Sequence, residues 1–129
     1  MAVPYEIEVN ESTSQVYSVT LKDETDTAVA LASIDSIKMT IIETTSGSTV
    51  NSRNAQDVLN ANNCTFHATS GLFTWNIQPE DTAIVNSNTP VLKKENHLVT
   101  ITFEWASNTK SFHREIALKC LNLRSVPQS

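Results

Sequence analysis

From Ser70 to Val85 the chain reads Ser-Gly-Leu-Phe-Thr-Trp-Asn-Ile-Gln-Pro-Glu-Asp-Thr-Ala-Ile-Val, and no other stretch restricts the possible folds as much. Phe73, Trp75 and Ile77 alternate with Thr74, Asn76 and Gln78, the period of a strand with one buried and one wet face. Pro79 then fixes φ near the helical value, and the N–H it lacks is one that a first helical turn leaves unpaired. Glu80 and Asp81 suit the positive end of a helix. A half-buried strand must therefore run straight into a helical turn. Trp75 is the largest apolar side chain on the buried face, which predicts that the core forms around it.

The same period recurs along the chain. Tyr5, Ile7 and Val9 oppose Glu6 and Glu8; Tyr17, Val19 and Leu21 point inward from Gln15–Lys22; Ile37, Met39 and Ile41 do so from Ser36–Glu43. Cys64–His67 and Leu72–Gln78 flank a four-residue connection ending in Gly71, where a positive φ is expected, and so form a hairpin. A longer hairpin closes the chain, with Val99, Ile101, Phe103 and Trp105 inward on one arm and Phe112, Arg114, Ile116, Leu118 and Cys120 on the other. Between Thr49 and Asn63 the alternation stops. Ser52 or Asn54 as a cap, with Ala55, Val58 and Leu59 on one face, predicts a turn and a half of helix packed across a sheet edge. Seven or eight short strands, polar turns and one or two helical turns give an all-β fold, a two-sheet antiparallel sandwich.

At 129 residues the chain fits a single domain, 1–129, with a loose tail from about 122 to 129. A domain of this size buries about two-thirds of its unfolded surface without needing a disulfide or metal. The net charge of −5 opposes unspecific attraction to nucleic acid or an anionic membrane. No apolar run is long enough to span a bilayer, and Met1–Glu6 lacks the basic and apolar regions of a signal peptide, so cytosolic synthesis is expected. Asn10-Glu11-Ser12 and Asn63-Cys64-Thr65 match the glycosylation pattern but carry no weight without such a signal.

Candidates for chemistry are few. His67, His97 and His113 are scattered, with no Cys or carboxylate at ligand spacing, and read as ordinary, partly exposed histidines. Cys64 and His67 share a strand but lie three positions apart, so their side chains diverge. Cys64, Trp75 and Cys120 follow the order of an immunoglobulin disulfide framework, yet Leu118 stands where the Tyr before the second Cys belongs, and both thiols are expected to be free and buried. Asp23, Glu24 and Asp26 read as a solvated turn, since the Gly and downstream Glu of a calcium loop are missing. No Gly-x-Ser-x-Gly elbow or phosphate loop is present. No catalytic, cofactor-binding or metal residue is assigned, no cofactor is implied, and enzyme activity is disfavoured.

Acidic residues gather early, at Glu6, Glu8, Glu11 and Asp23–Asp26; basic ones gather late, at Lys93, Lys94, Lys110, Arg114, Lys119 and Arg124. On opposite sides they would make an acidic and a basic face suited to head-to-tail contacts in a ring or lattice. The plainer alternative is two solvated faces.

One resemblance goes further. Leu21-Lys22-Asp23 is followed by Ala28-Val29-Ala30-Leu31, and Gly71-Leu72-Phe73-Thr74-Trp75-Asn76-Ile77 precedes Asp81-Thr82-Ala83. This order resembles a set of small tailed-bacteriophage virion proteins, including the N-terminal domain of upper baseplate proteins, over roughly residues 15 to 120. The chain departs from that set at Ala32–Asp35, where Thr-Gly is usual, and in the insertion at 49–63. The resemblance implies an immunoglobulin-like sandwich without catalysis, located in the virion. Its partners would be other phage structural proteins, the major capsid protein or neck and tail proteins, with the chain itself a homo-oligomer. A head decoration or cementing protein is the leading expectation, a neck, tail or baseplate component the second. A carbohydrate-binding module is the rival from another class, and an exposed Trp105 beside Asn108 and His113 would be its sign.

Overall fold

The computed structural model describes residues 5–86, 89, 93–107 and 109–122. Among them lie eight strands: β1 Tyr5–Asn10, β2 Gln15–Thr20, β3 Ile34–Glu43, β4 Gln56–Asp57, β5 Cys64–Phe66, β6 Leu72–Ile77, β7 Lys94–Trp105 and β8 Lys110–Leu121. One helical turn, α1, covers Pro79–Thr82, and a 3-10 turn covers Leu31–Ser33. Strands β1-β8-β7-β3-β4 form one sheet and β2-β6-β5 the other. Counting β2 as strand B, this is the arrangement of an immunoglobulin-like sandwich, with B, E and D in one layer and G, F, C and C′ in the other. β1 adds to the larger layer and runs parallel to β8, from Tyr5 opposite Ile116 to Asn10 opposite Leu121. The chain crosses to the other sheet between Asn10 and Gln15, which separates β1 from β2 and leaves β1 to pair with the last strand.

The inward sets read from alternation form the core. Trp75 is fully buried, with Tyr17 and Cys64 opposite it on the neighbouring strands. Phe73 meets Phe103 of the facing sheet edge-on, with ring centroids 5.2 Å apart and planes at 89°. Ile37, Met39, Ile41, Val99, Ile101, Ile116 and Leu118 are fully buried around them. Each contributes about 1.5–3 kcal/mol of apolar burial. Phe112 departs from the expected inward set and is 37% exposed. It sits on the half of β8 that β1, paired only with Ile116–Leu121, leaves at the sheet margin, whereas its cross-strand partner Phe103, and Trp105 nearer the turn, stay buried.

Gly71 has φ +73°, as its place in the hairpin requires. A Cβ there would lie 2.6 Å from the Leu21 carbonyl oxygen, so only glycine fits.

Residues 49–63 do not form the expected helix. Asn51, Ser52, Ala55, Asn60, Asn62 and Asn63 all have positive φ, which a right-handed helix excludes. The segment instead bonds to β3: the Ile41 N–H donates to the Arg53 carbonyl, Val50 to Ile41 and Val58 to Ile37. β4 pairs with Lys38 and Met39. The expectation of packing across a sheet edge holds, although the segment achieves it as irregular backbone. Val50 and Val58 are buried plugs, while Ala55 is exposed.

Asn122 belongs to the fold and not to a loose tail. It is buried, its N–H donates to the Lys93 carbonyl and its side chain donates to the Thr89 carbonyl. The rest of the expected tail, 123–129, lies outside the described residues.

Candidate functional site

Most of the ionisable groups inside the sandwich sit at one end. Continuing the inward phase of β3 beyond Ile41 brings Glu43 inside, and continuing that of β7 back from Val99 brings His97 and Glu95 inside; all three are buried. Arg53, from the irregular segment, and Asp81, from α1, complete the group. All five guanidinium N–H groups of Arg53 find acceptors. Nε and one terminal nitrogen grip the two Asp81 oxygens at 2.7 and 3.2 Å, and the remaining donors reach Gln56 Oε1, the Asn62 carbonyl and Asn63 Oδ1. The guanidinium also lies 5.9 Å from the centre of the Trp75 ring. Asp81 accepts in addition from Asn51 Nδ2 and the Gln78 N–H, both at 2.9 Å, the second bond closing the α1 cap. Thr82 beside it ties α1 to the β1–β2 connection, accepting from the Thr13 N–H and donating to the Thr13 carbonyl.

His97 Nδ1 lies 2.9 Å from the Asp81 carbonyl and Nε2 lies 2.5 Å from Glu95 Oε1, so both ring nitrogens are placed to donate. Glu95 accepts three further bonds, from the N–H groups of Val85 and Asn86 and the Thr89 hydroxyl. Burial pushes its pKa up, but these donors outweigh that and hold it below the ordinary carboxylate value. Glu43 shows the same balance: burial raises its pKa, and the Thr45 and Ser46 N–H groups with Asn86 Nδ2 bring it down to about 2. The carboxylates are consumed by protein donors, which makes this end a fastening for the loops.

The three histidines are scattered, as expected, but His97 is fully buried instead of partly exposed. His67 is exposed and accepts the Thr69 and Ser70 N–H groups in its turn; His113, also exposed, lies 3.1 Å from the Thr102 hydroxyl. Cys64 is buried and His67 points away from it, as their spacing predicts. The Cys–His neighbours that alternation along a single strand does not reveal are Cys120 and His97, 3.7 Å apart across β8 and β7. Burial pushes the Cys120 thiol up to about 12, with Glu95 and Asp81 adding to the effect, and a thiol kept protonated away from solvent is not an activated nucleophile. Both cysteines are free and buried, on β5 of one sheet and β8 of the other, positions that differ from the B and F strands of an antibody-type bridge.

The Asp23 turn is held by its own residues. Asp23 Oδ1 accepts from the Thr25 hydroxyl and from the Thr25 and Thr27 N–H groups, and these bonds lower its pKa, the Thr25 hydroxyl most. Among the described residues, no three His, Cys, Asp or Glu side chains are grouped to hold a metal. Trp105 is only 7% exposed, which removes the aromatic platform that a sugar site there would use; Asn108 lies outside the described residues.

The two opposed charged faces do not form. Parallel pairing of β1 with β8, and the β7–β8 hairpin, bring early acids beside late bases: Glu8 with Lys94 at 3.0 Å, Glu6 with Lys119 at 3.8 Å, and Glu24 with Lys110. Arg114 donates to the Tyr17 hydroxyl at 2.7 Å. Arg124 lies outside the described residues. The outer surface is therefore one of mixed and partly paired charge, with Thr, Ser and Asn between. Compared with protein-family models, curated proteins and solved structures, the chain matches none.

Proposed function

We propose that this protein is a structural component of a tailed-bacteriophage particle, a head decoration or cementing protein that braces capsid subunits through protein–protein contacts. The observation that supports this reading most is the division of polar groups. Buried acids and bases fasten loops and are used up in doing so, whereas the outward strand faces carry Thr, Ser, Asn and paired charges on a rigid two-layer frame. Such a surface suits broad polar contact with a neighbouring subunit and has little to hold or convert a small molecule. The shared residues add to this. Trp75 is the core centre, Asp81 is the carboxylate grasped by Arg53, and Thr82 holds the β1–β2 connection, so the family-like positions are framework positions. The protein acts without catalysis, is made in the host cytoplasm and resides in the virion beside the major capsid protein.

A neck, tail or baseplate position is the second form of the same proposal, because the resemblance includes upper baseplate proteins. Quantitative mass spectrometry of purified virions separates the two. Hundreds of copies, on the order expected of a shell lattice, support decoration, whereas about six or twelve would place the protein in a ring at the neck or baseplate. Absence from the particle overturns both.

A further inference from the structure

We infer that β2 is the surface through which two copies of this chain associate, their β2 strands pairing antiparallel about a two-fold axis so that the two three-stranded sheets become one.

The described residues leave four sheet edges, and three are blunted. β1 carries the exposed acids Glu6 and Glu8, β4 has two residues and an exposed Asp57, and β5 has three residues. β2 is different. Its six residues, Gln-Val-Tyr-Ser-Val-Thr, include no charge, proline or glycine, and its register with β6 runs without a bulge. These are the devices by which a monomeric protein protects an edge, and β2 has none of them. Among the described residues β2 pairs with β6 alone, so the antiparallel ladder turns every second N–H and C=O of β2 outward. Val16, at 64% exposed, is the most exposed large apolar side chain among the described residues. Space also flanks the strand: an open cavity of 250 Å³ borders it beside Ile7 and Arg114, and another of 480 Å³ borders it beside Asn76 and Gln78.

The charge pattern favours a second copy as the occupant. Self-pairing across β1 would set glutamates against glutamates, whereas across β2 every residue meets an uncharged one. The two-fold must also keep outward faces together, which allows Ser18 opposite Ser18, Val16 opposite Thr20 and Tyr17 opposite Val19. Each of these is a tolerated or favoured cross-strand pair. Pairing through β2 requires nothing of the virion assignment.

Sedimentation velocity on the full chain from about 1 to about 100 µM, the range where a modest interface shows itself, tests this directly. A monomer–dimer shift is expected, with Ser18→Lys weakening it about tenfold or more by setting two ammonium groups opposite each other, and Val16→Lys weakening it about tenfold by placing a charge on the otherwise uncharged edge opposite Thr20. Both positions are exposed, so the variants should keep the wild-type melting temperature and circular dichroism. Amide hydrogen exchange on the unmodified chain gives an independent reading, with slower exchange in β2 as concentration rises. A chain that stays monomeric throughout, or a dimer that both lysine variants leave unchanged, overturns the inference. So does β2 exchange that slows only in a native complex and never with concentration, which would assign the edge to a different protein.

Discussion

The middle of the sandwich and its polar end are equally buried but held by opposite means. Around Trp75, apart from the Arg53 guanidinium over its ring, the contacts are apolar and interchangeable in kind, so each side chain adds its share of burial. At the end, Arg53, Asp81, Glu95, His97 and Glu43 are inside only because each is matched to particular donors or acceptors. Apolar burial degrades gradually when a piece is removed. A buried ion left without its partner does not.

The largest test of that contrast is Arg53→Ala, expected to cost about 3–5 kcal/mol in denaturant unfolding because Asp81 is left buried and uncompensated. Asp81→Ala should cost a similar amount, and the double variant should cost far less than the two together. Ile116→Ala in the apolar layer is expected to cost about 2–5 kcal/mol and to add in full to either charge variant. Full additivity of Arg53→Ala with Asp81→Ala would erase the distinction between the two regions. Next comes Gly71→Ala, at about 3 kcal/mol, from a left-handed backbone and a Cβ forced onto a carbonyl oxygen.

Acid sharpens the comparison further. Glu43 has its pKa lowered from the ordinary 4.5 to about 2, so the stability it contributes is complete above pH 4.5 and is lost as the pH falls toward 2. Glu95, also lowered, adds in the same direction. Glu43→Gln should therefore destabilise the protein by about 1–3 kcal/mol at neutral pH and by progressively less below pH 4.5, a profile that Ile116→Ala should not share. The thiols report both regions, Cys64 opposite Trp75 and Cys120 beside His97. With Cys64 and Cys120 both pushed up to about 12 by burial, a disulfide reagent at neutral pH should label neither until the chain unfolds. The smallest effect is expected at Ala55, whose φ of +51° strains an alanine; Ala55→Gly should stabilise by up to about 1 kcal/mol in thermal melts.

How much could be read in advance divides along the same line. A period of two needs only local sequence, so the inward residues of β2, β3, β6 and β7 were legible, and Gly71 was legible from its hairpin. Glu43, Glu95 and His97 were within reach as well, since each continues an apolar phase by one or two steps; their charge argued against burial while their partners were still unknown. Arg53 and Asp81 were not legible as a pair, because what holds a guanidinium inside is a carboxylate 28 residues away. The helix expected at 49–63 failed for a reason visible afterwards. Asn51, Asn54, Asn60, Asn62 and Asn63 crowd that segment, and asparagine tolerates the left-handed backbone that most of them adopt. The mingling of early acids with late bases depended on β1 running parallel to β8, which no turn signal announces.

Asn86 gives its backbone N–H to Glu95 and its side-chain amide to Glu43, so a single residue clasps two strands that are adjacent in the sheet. Inheritance should feel that clasp. Losing the amide takes a donor from Glu43 alone, because the backbone N–H that serves Glu95 survives any replacement except proline, so descendants of this chain should exchange residues 43 and 86 together and keep proline out of position 86.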